Sequence, residues 1–223
     1  MNQYHLRSLK AALFDLDGVV FDTESQYSVF WGEQCRLYHP EHPGLENEIK
    51  GSTLEQIFEI GWSGALEPER LRVIERLNAF EAQMRLDYVP GFETFVCDLR
   101  HMGVKTAVVT SSNLQKMENV YKKHPEFKSY FDAILTSEDF AESKPSPDCY
   151  LRAAKCLGAN TDECVVFEDS INGLRSGRAA KMKVVGLLTT NPIEKVRELS
   201  DIQIADYEGI SYSIITHFLN FNR

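Results

Sequence analysis

Apolar positions change their spacing twice along this 223-residue chain. Ala11, Ala12, Leu13 and Phe14 are contiguous. That run is far short of the roughly 18 apolar residues of a membrane span and has the length of a buried strand. From about Thr23 to Val89 helical spacing takes over. Tyr27, Phe30, Trp31, Gln34 and Tyr38 fall on one stripe, and Pro40, Pro43 and Gly44 break it. Ser52-Thr53-Leu54-Glu55 has the form of a capping box ahead of Leu54, Ile57 and Phe58. Gly61 and Gly64 end that helix. Pro68 then suits the first turn of a longer one carrying Leu71, Ile74, Leu77 and Met84.

After Pro90-Gly91 helix and strand patterns alternate. Phe92, Phe95, Val96 and Leu99 form a helical face closed by Gly103, and Thr106–Val109 reads as a strand. A helix from Leu114 to Lys123 precedes a strand over Phe131–Leu135. A helix opened by Pro147 and stopped by Gly158 precedes a strand over Cys164–Phe167. Ile171–Ala180, Lys183–Leu187, Ile202–Ala205 and Ser211–Phe221 follow as helix, strand, edge strand and helix, the last presenting Ile214, Ile215, Phe218 and Leu219. Such alternation predicts βαβ units and a parallel sheet covered on both faces. The domain expectation is an α/β core over residues 1–22 and 90–223, with a small all-helical insert over 23–89.

Ligands of parallel sheets bind beyond the carboxyl ends of the strands, so the residues just past each strand carry the candidate chemistry. The first strand delivers Asp15 and Asp17, followed by Gly18. Two readings stand on these residues alone: a pair of carboxylates that needs a cation, or an Asp-Gly turn that ends the strand. The next strand ends deliver Thr110 and Ser111, then Lys144, then Glu168 and Asp169. Taken singly, Thr110–Asn113 and Glu168–Ser170 also read as helix caps, and Lys144 as a solvated loop lysine. Together they form one oxygen-rich cluster with one ammonium, which suits Mg²⁺ and a phosphate group.

Composition narrows the partners. The chain is 43% hydrophobic and 26% charged, with a formal net charge of -9 and no basic block, which argues against nucleic acid as a partner. No stretch is long and apolar enough for a membrane. The five cysteines are scattered without a Cys-x-x-Cys pair, and no signal layout opens the chain, so reduced thiols in a cytoplasm are expected. The six histidines (His5, His39, His42, His101, His124, His217) sit in polar stretches, are expected to be solvated, and form no zinc pattern.

In order and spread, Asp15-x-Asp17-Gly18, Thr110, Lys144-Pro145 and Glu168-Asp169 resemble the four motifs of the haloacid dehalogenase-like superfamily. Asp17–Thr23, Lys50-Gly51 and Lys144-Pro145-x-Pro147-Asp148-x-Tyr150 resemble its beta-phosphoglucomutase-like phosphatases with a helical cap. The resemblance covers nearly the whole chain. It implies a Rossmann-like three-layer parallel-sheet core with the cap inserted between the first two motifs. It further implies that Asp15 attacks phosphorus and Asp17 serves as acid and base. Mg²⁺ would be held by Asp15, the Asp17 carbonyl and Asp169, with Glu168 acting directly or through its neighbours. Thr110, Ser111 and Lys144 would hold phosphate, and Lys144 would also fix Asp15. The second aspartate sets dehalogenation aside.

Mutases of this group carry a His one turn into the first cap helix and an Arg shortly after the Lys-Gly. Tyr27 and Leu54 stand at those spacings here, which favours hydrolysis over the mutase alternative. Tyr27, Lys50, Ser52, Thr53 and Glu55 are the cap positions expected to meet substrate. The expected activity is an Mg²⁺-dependent phosphatase acting on a small phosphorylated metabolite of the sugar phosphate class. A phosphomutase, an inorganic pyrophosphatase and a phosphate-ligand sensor on a retained fold are the alternatives. A monomer or weak dimer is expected.

Overall fold

The computed structural model describes residues 8–50 and 52–221. Strand β1 (Ala11–Phe14) is followed by four helices, α1 (Glu24–Tyr38), α2 (Leu45–Glu48), α3 (Leu54–Gly61) and α4 (Arg70–Gln83). Then come α5 (Phe92–His101), β2 (Lys105–Val109), α6 (Leu114–Lys123), β3 (Ala133–Leu135), α7 (Asp148–Leu157), β4 (Cys164–Glu168) and α8 (Ile171–Ala179). The chain finishes with β5 (Lys183–Leu187), α9 (Ile193–Arg197), β6 (Ile202–Ile204) and α10 (Tyr212–Phe221).

All six strands run parallel in the order β3-β2-β1-β4-β5-β6. The apolar strand runs are continuous because both faces of the sheet are covered. Successive side chains divide between the two faces. Ala12, Phe14, Val165, Phe167, Val185 and Leu187 pack with α5, α6 and α10. Ala11, Leu13, Cys164, Val166 and Val184 pack with α7 and α8. On the first face the Phe14 and Phe167 rings stack at 4.5 Å, and Phe95 meets Phe167 edge-on at 5.4 Å. Two carboxylate-bearing strands therefore lie side by side at the centre of the sheet, where strand order reverses. That is where such a fold opens a crevice.

Helices α1 to α4 have a core of their own, built on Phe30, Trp31, Ile57, Phe58, Trp62, Val73 and Leu77. Two chain segments join them to the sheet. Asp22 donates its main-chain N–H to the Asp87 carbonyl, and Val89 donates to that of Val20, both at 2.9 Å.

Several local readings shift. The capping box of α3 sits one residue later than its sequence form. Thr53, not Ser52, is the N-cap, and Gln56, not Glu55, reaches back to it. In α4, Leu71 points to solvent, and Val73, Leu77 and the charged Glu81 take the buried face. Pro68 falls in a 3₁₀ turn over Gly64–Glu69, which sets α4 later and rotates its inward stripe. In α10, Ile215 and Leu219 are buried and Phe218 is exposed.

Two histidines are not solvated. His39 Nε2 lies 2.5 Å from the Gly61 carbonyl, and His124 Nε2 lies 2.8 Å from that of Leu86, so each ring ties down a chain end beside a neighbouring element. Gly51 and His5 lie outside the described residues. Cys35, Cys149 and Cys164 are buried, Cys97 and Cys156 are exposed, and all five are free thiols. No described helix is long and apolar enough to cross a membrane.

Candidate active site

The carboxyl ends of β1 and β4 lie side by side, with Phe14 paired to Phe167 in register. Asp15 and the pair Glu168–Asp169 are therefore delivered together, and one oxygen from each carboxylate lies within 4.8 Å of the others. Gly18 makes the approach possible. Its φ is +72°, and a Cβ there would stand 2.1 Å from Asp169 Oδ2. Only glycine accepts both conditions.

Lys144 answers these carboxylates. Its side chain is 1% exposed, and Nζ donates to Asp15 Oδ1 at 2.5 Å, to Glu168 Oε1 at 2.7 Å and to the Val109 carbonyl at 3.0 Å. Burial pulls the Lys144 ammonium towards neutrality, and the Asp15 and Glu168 carboxylates more than reverse this, so its proton is held above the usual lysine range. Asp15 is pushed up to about 7 by burial, with Lys144 opposing and Glu168 and Asp17 adding to the rise. Burial, reinforced by Glu24, Glu168 and Asp15, raises Asp169 well above the ordinary carboxylate range.

Three buried carboxylates lie together, and one ammonium pairs with two of them. That imbalance is costly, because each uncompensated buried ion loses several kcal/mol of hydration. A hard divalent cation removes it, and an oxygen-only donor set is what Mg²⁺ takes. The three acids differ in what they still offer. Both oxygens of Glu168 are occupied: Oε1 accepts from Lys144 and from the Tyr150 hydroxyl at 2.9 Å. Oε2 accepts from the Asp169 and Ser170 main chains and the Ser170 hydroxyl, all at about 3 Å. Among the described residues no side chain or main-chain donor is recorded on Asp15 Oδ2 or Asp169 Oδ1. Asp15 and Asp169 thus fit a metal, while Glu168 fits the work of holding Lys144 and the start of α8.

Asp17, two residues further on, faces another set of donors. Thr23 donates to Oδ1 at 2.6 Å, Ser112 donates to Oδ2 at 3.0 Å, and the Lys116 ammonium pairs with Oδ2. Thr110 is buried at the end of β2, where its hydroxyl accepts the Ser112 N–H at 3.0 Å, and Ser111 follows it.

These residues open on a cavity of about 370 Å³. Asp15, Asp17, Thr110, Ser111, Lys144 and Asp169 line its floor, and Tyr27, Lys50, Ser52, Thr53 and Glu55 all lie on its helical side. The sheet edge and the insert therefore bound a single space. Glu168 is fully buried behind the floor and does not line it. Thr53 spends its hydroxyl on capping α3, and Tyr27 donates its own to Glu81 at 2.7 Å. Gln56 bridges the two parts: its Oε1 accepts the Thr53 N–H at 3.0 Å while its Nε2 donates to the Lys144 carbonyl at 3.2 Å.

Strand-end reasoning misses Lys116, Ser112, Thr190 and Gln56. Thr190 donates to Asp169 Oδ2, and Asn191 donates to the Asp169 carbonyl at 2.9 Å. Both lie just past β5, so the rule that exposes the other strand ends also reaches them. Lys116 carries no such signal, because it sits within a helix and not at a strand end.

Comparison with known proteins gives the same class. The family model for haloacid dehalogenase-like hydrolases matches residues 9–181. The chain belongs to that family. It is 28% identical over 207 residues to the bifunctional riboflavin kinase/FMN phosphatase of Arabidopsis thaliana, covering 86% of this chain and 54% of that protein. The chain thus spans about half the length of that relative. It is 28% identical over 216 residues to the beta-phosphoglucomutase of Bacillus subtilis, covering 88% of this chain and 92% of the relative. A family IA, variant 3 hydrolase of Entamoeba histolytica shares the fold, with a TM-score of 0.81 at 21% identity over 95% of this chain and 99% of that one.

Proposed function

We propose that this hydrolase is an Mg²⁺-dependent phosphatase that cleaves a small monophosphorylated metabolite through an aspartyl-phosphate on Asp15. The observation that carries the reading is the arrangement around Asp15. One oxygen is anchored by Lys144, and among the described residues no donor meets the other, in a carboxylate that lines the cavity.

Asp15, the main-chain carbonyl of Asp17, and Asp169 would hold the metal. When bound, it supplies positive charge that screens the phosphate dianion from the nucleophilic carboxylate. The chain's own groups do the rest. Asp15 attacks phosphorus, and the bond to the ester oxygen breaks as that oxygen takes a proton from Asp17. Asp17, now a carboxylate, removes a proton from water. The water oxygen displaces Asp15 from phosphorus and releases inorganic phosphate. Thr110 and Ser111 would donate to the phosphate oxygens, and Lys144, whose three N–H groups go to Asp15, Glu168 and the Val109 carbonyl, would hold the phosphate by its charge or by exchanging one of them. Residues 23–89 would act as a lid, with Gln56 meeting the Lys144 loop when they close over the floor.

The cavity bounds the substrate. Its volume is near the low end of the roughly 300–1,000 Å³ of ligand sites, which supports a compact leaving group. Beyond the floor its charged lining is Glu24, Glu46, Glu55, Glu81 and Glu138 against Lys50. A second phosphate or a carboxylate on the substrate would face that wall. This supports a neutral, hydroxyl-rich alcohol and disfavours pyrophosphate. It equally disfavours the bisphosphate that a mutase must retain, and Tyr27, at the spacing of the mutase histidine, is taken up with Glu81.

A panel of sugar and polyol monophosphates, assayed for phosphate release with Mg²⁺ and with chelator, tests this reading. Turnover on monophosphates with Mg²⁺, and little on pyrophosphate, is expected. No release from any monophosphate would refute it.

A further inference from the structure

Lys116 is an unusual lysine. It lies in the first turn of α6, where its N–H is given to the Asn113 side chain that caps the helix. Its side chain is 3% exposed. A lysine is almost never buried to that degree without a partner that justifies the lost hydration. Its partner is the Asp17 carboxylate. Tyr27 covers it, with the ring centroid 4.6 Å from Nζ, and Glu81 holds Tyr27 in turn through the phenol hydroxyl. Lys116 does not line the cavity. It therefore reaches the chemistry only through Asp17.

We propose that Lys116 is the positioning residue of the Asp17 acid/base, aiming its carboxylate at the bond between phosphorus and the departing oxygen. This rests on the phosphatase reading above.

The need for such a residue follows from where Asp17 sits. It stands beyond the end of β1, next to a glycine in the left-handed region, so its strand does not fix its side chain. Three donors from three places do. Thr23 comes from the segment leading into α1, Ser112 from the loop after β2, and Lys116 from α6. The ammonium is enclosed, 3% exposed and faced by the Tyr27 ring. Of the three it alone carries charge, so it adds to its hydrogen bond a coulombic attraction for the Asp17 carboxylate that the hydroxyls lack. Its support is also shared between the parts of the molecule. Lys116 belongs to the sheet core, while Tyr27 and Glu81 belong to α1 and α4 of the helical insert. The acid/base is thus aimed by a group whose own seat is completed by the insert.

The proton transfers separate this role from a merely structural one. Cleavage of p-nitrophenyl phosphate expels a stable phenolate and needs little help from an acid. Hydrolysis of the resulting aspartyl-phosphate still needs the Asp17 base. An alkyl phosphate needs both. In stopped-flow measurements with Mg²⁺, Lys116→Gln should therefore keep a p-nitrophenolate burst of about one equivalent per enzyme. Its later steady-state rate should fall by about 10²-fold, the lower end of what general acid–base help contributes. On an alkyl phosphate kcat should fall by at least as much, with KM within about twofold. Lys116→Arg should recover part of both losses.

Steady-state rates within threefold of wild type on the alkyl ester would overturn the proposal. Loss of the burst in step with the steady state would also overturn it, since that marks collapse of the whole floor. If the Gln variant does not fold, Lys116→Arg carries the test: a longer, planar guanidinium must lower steady-state turnover without touching the burst, and an unchanged rate overturns the idea. Absence of phosphate release by the wild-type enzyme would instead refute the phosphatase reading itself.

Discussion

Gly173 offers a sharp test of how the floor is built. It lies in the first turn of α8, directly over the Glu168 carboxylate. A Cβ there would stand 1.7 Å from Oε1, 1.9 Å from Cδ and 2.2 Å from Oε2. Two effects of Gly173→Ala oppose each other. Alanine in place of glycine within a helix stabilises by about 0.5–1 kcal/mol through backbone entropy. The methyl group cannot coexist with the carboxylate where it stands, so Glu168 must leave Lys144, Tyr150 and the Asp169 and Ser170 donors. Removing one side of a buried ion pair costs about 3–5 kcal/mol. The second effect wins, and a net loss of about 2–4 kcal/mol is expected. With an m-value of about 3 kcal/mol/M, the urea midpoint should drop by about 1 M.

Urea unfolding followed by fluorescence measures the drop, and a double-mutant cycle assigns it. In a Glu168→Ala background the clash is gone, so Gly173→Ala should become neutral or slightly stabilising. A single mutant as stable as wild type would refute the reasoning. So would an equal penalty in both backgrounds.

Three more expectations follow from the same geometry. Asp15→Asn should abolish phosphate release with Mg²⁺ present while leaving the circular dichroism spectrum unchanged; turnover above about a thousandth of wild type would exclude Asp15 as nucleophile. Metal-free protein should lose stability as pH rises from about 5 to 7.5. Asp15 is lifted to about 7, chiefly by burial, and Glu24 to about 7 by burial and Asp17; each therefore binds its proton more tightly folded than unfolded, and that stabilising contribution is lost as pH passes through the folded value. Mg²⁺ should stabilise more at pH 7.5 than at pH 5, and urea midpoints with and without the ion at both values check the sign. Gln56→Ala should cost about 1 kcal/mol as a lost capping partner, and should raise KM more than it lowers kcat; an unchanged KM would remove Gln56 from lid closure.

The sheet and most of the floor are legible in the chain because the central strands are largely apolar runs, several of them followed by chemistry that a strand interior cannot hold. Asp15 and Asp169 announce themselves that way, while Lys144, well into the loop after β3, stands out only as part of the set. Glu168 announces itself too, and the sequence leaves open whether it meets a metal directly or acts through its neighbours. Only the packing shows that five donors, Lys144 among them, fill both its oxygens. The insert is harder to read because helical stripes record which side faces inward, not what lies opposite. Leu71 has the right spacing and points to solvent, while Glu81, a charge on the buried face of α4, meets Tyr27. Lys116 is hidden for the same reason. Its partner lies 99 residues away, and nothing local distinguishes it from a surface lysine.

The position of the helical insert also bears on how the chain finds its shape. β1 and β2 are neighbours at the centre of the sheet, with Phe14 beside Val108, yet the whole insert separates them in sequence. Closing so long a loop slows strand pairing if the loop is a random coil. The insert has a private aromatic core, and its two ends are clasped at Asp22–Asp87 and Val20–Val89. Once it has folded locally, what remains to be bridged is the turn after β1 and the α5 segment ahead of β2. The part proposed to close over the substrate would then also bring the two halves of the sheet together during folding. Loosening its core should slow refolding of the sheet even where the finished enzyme is little changed.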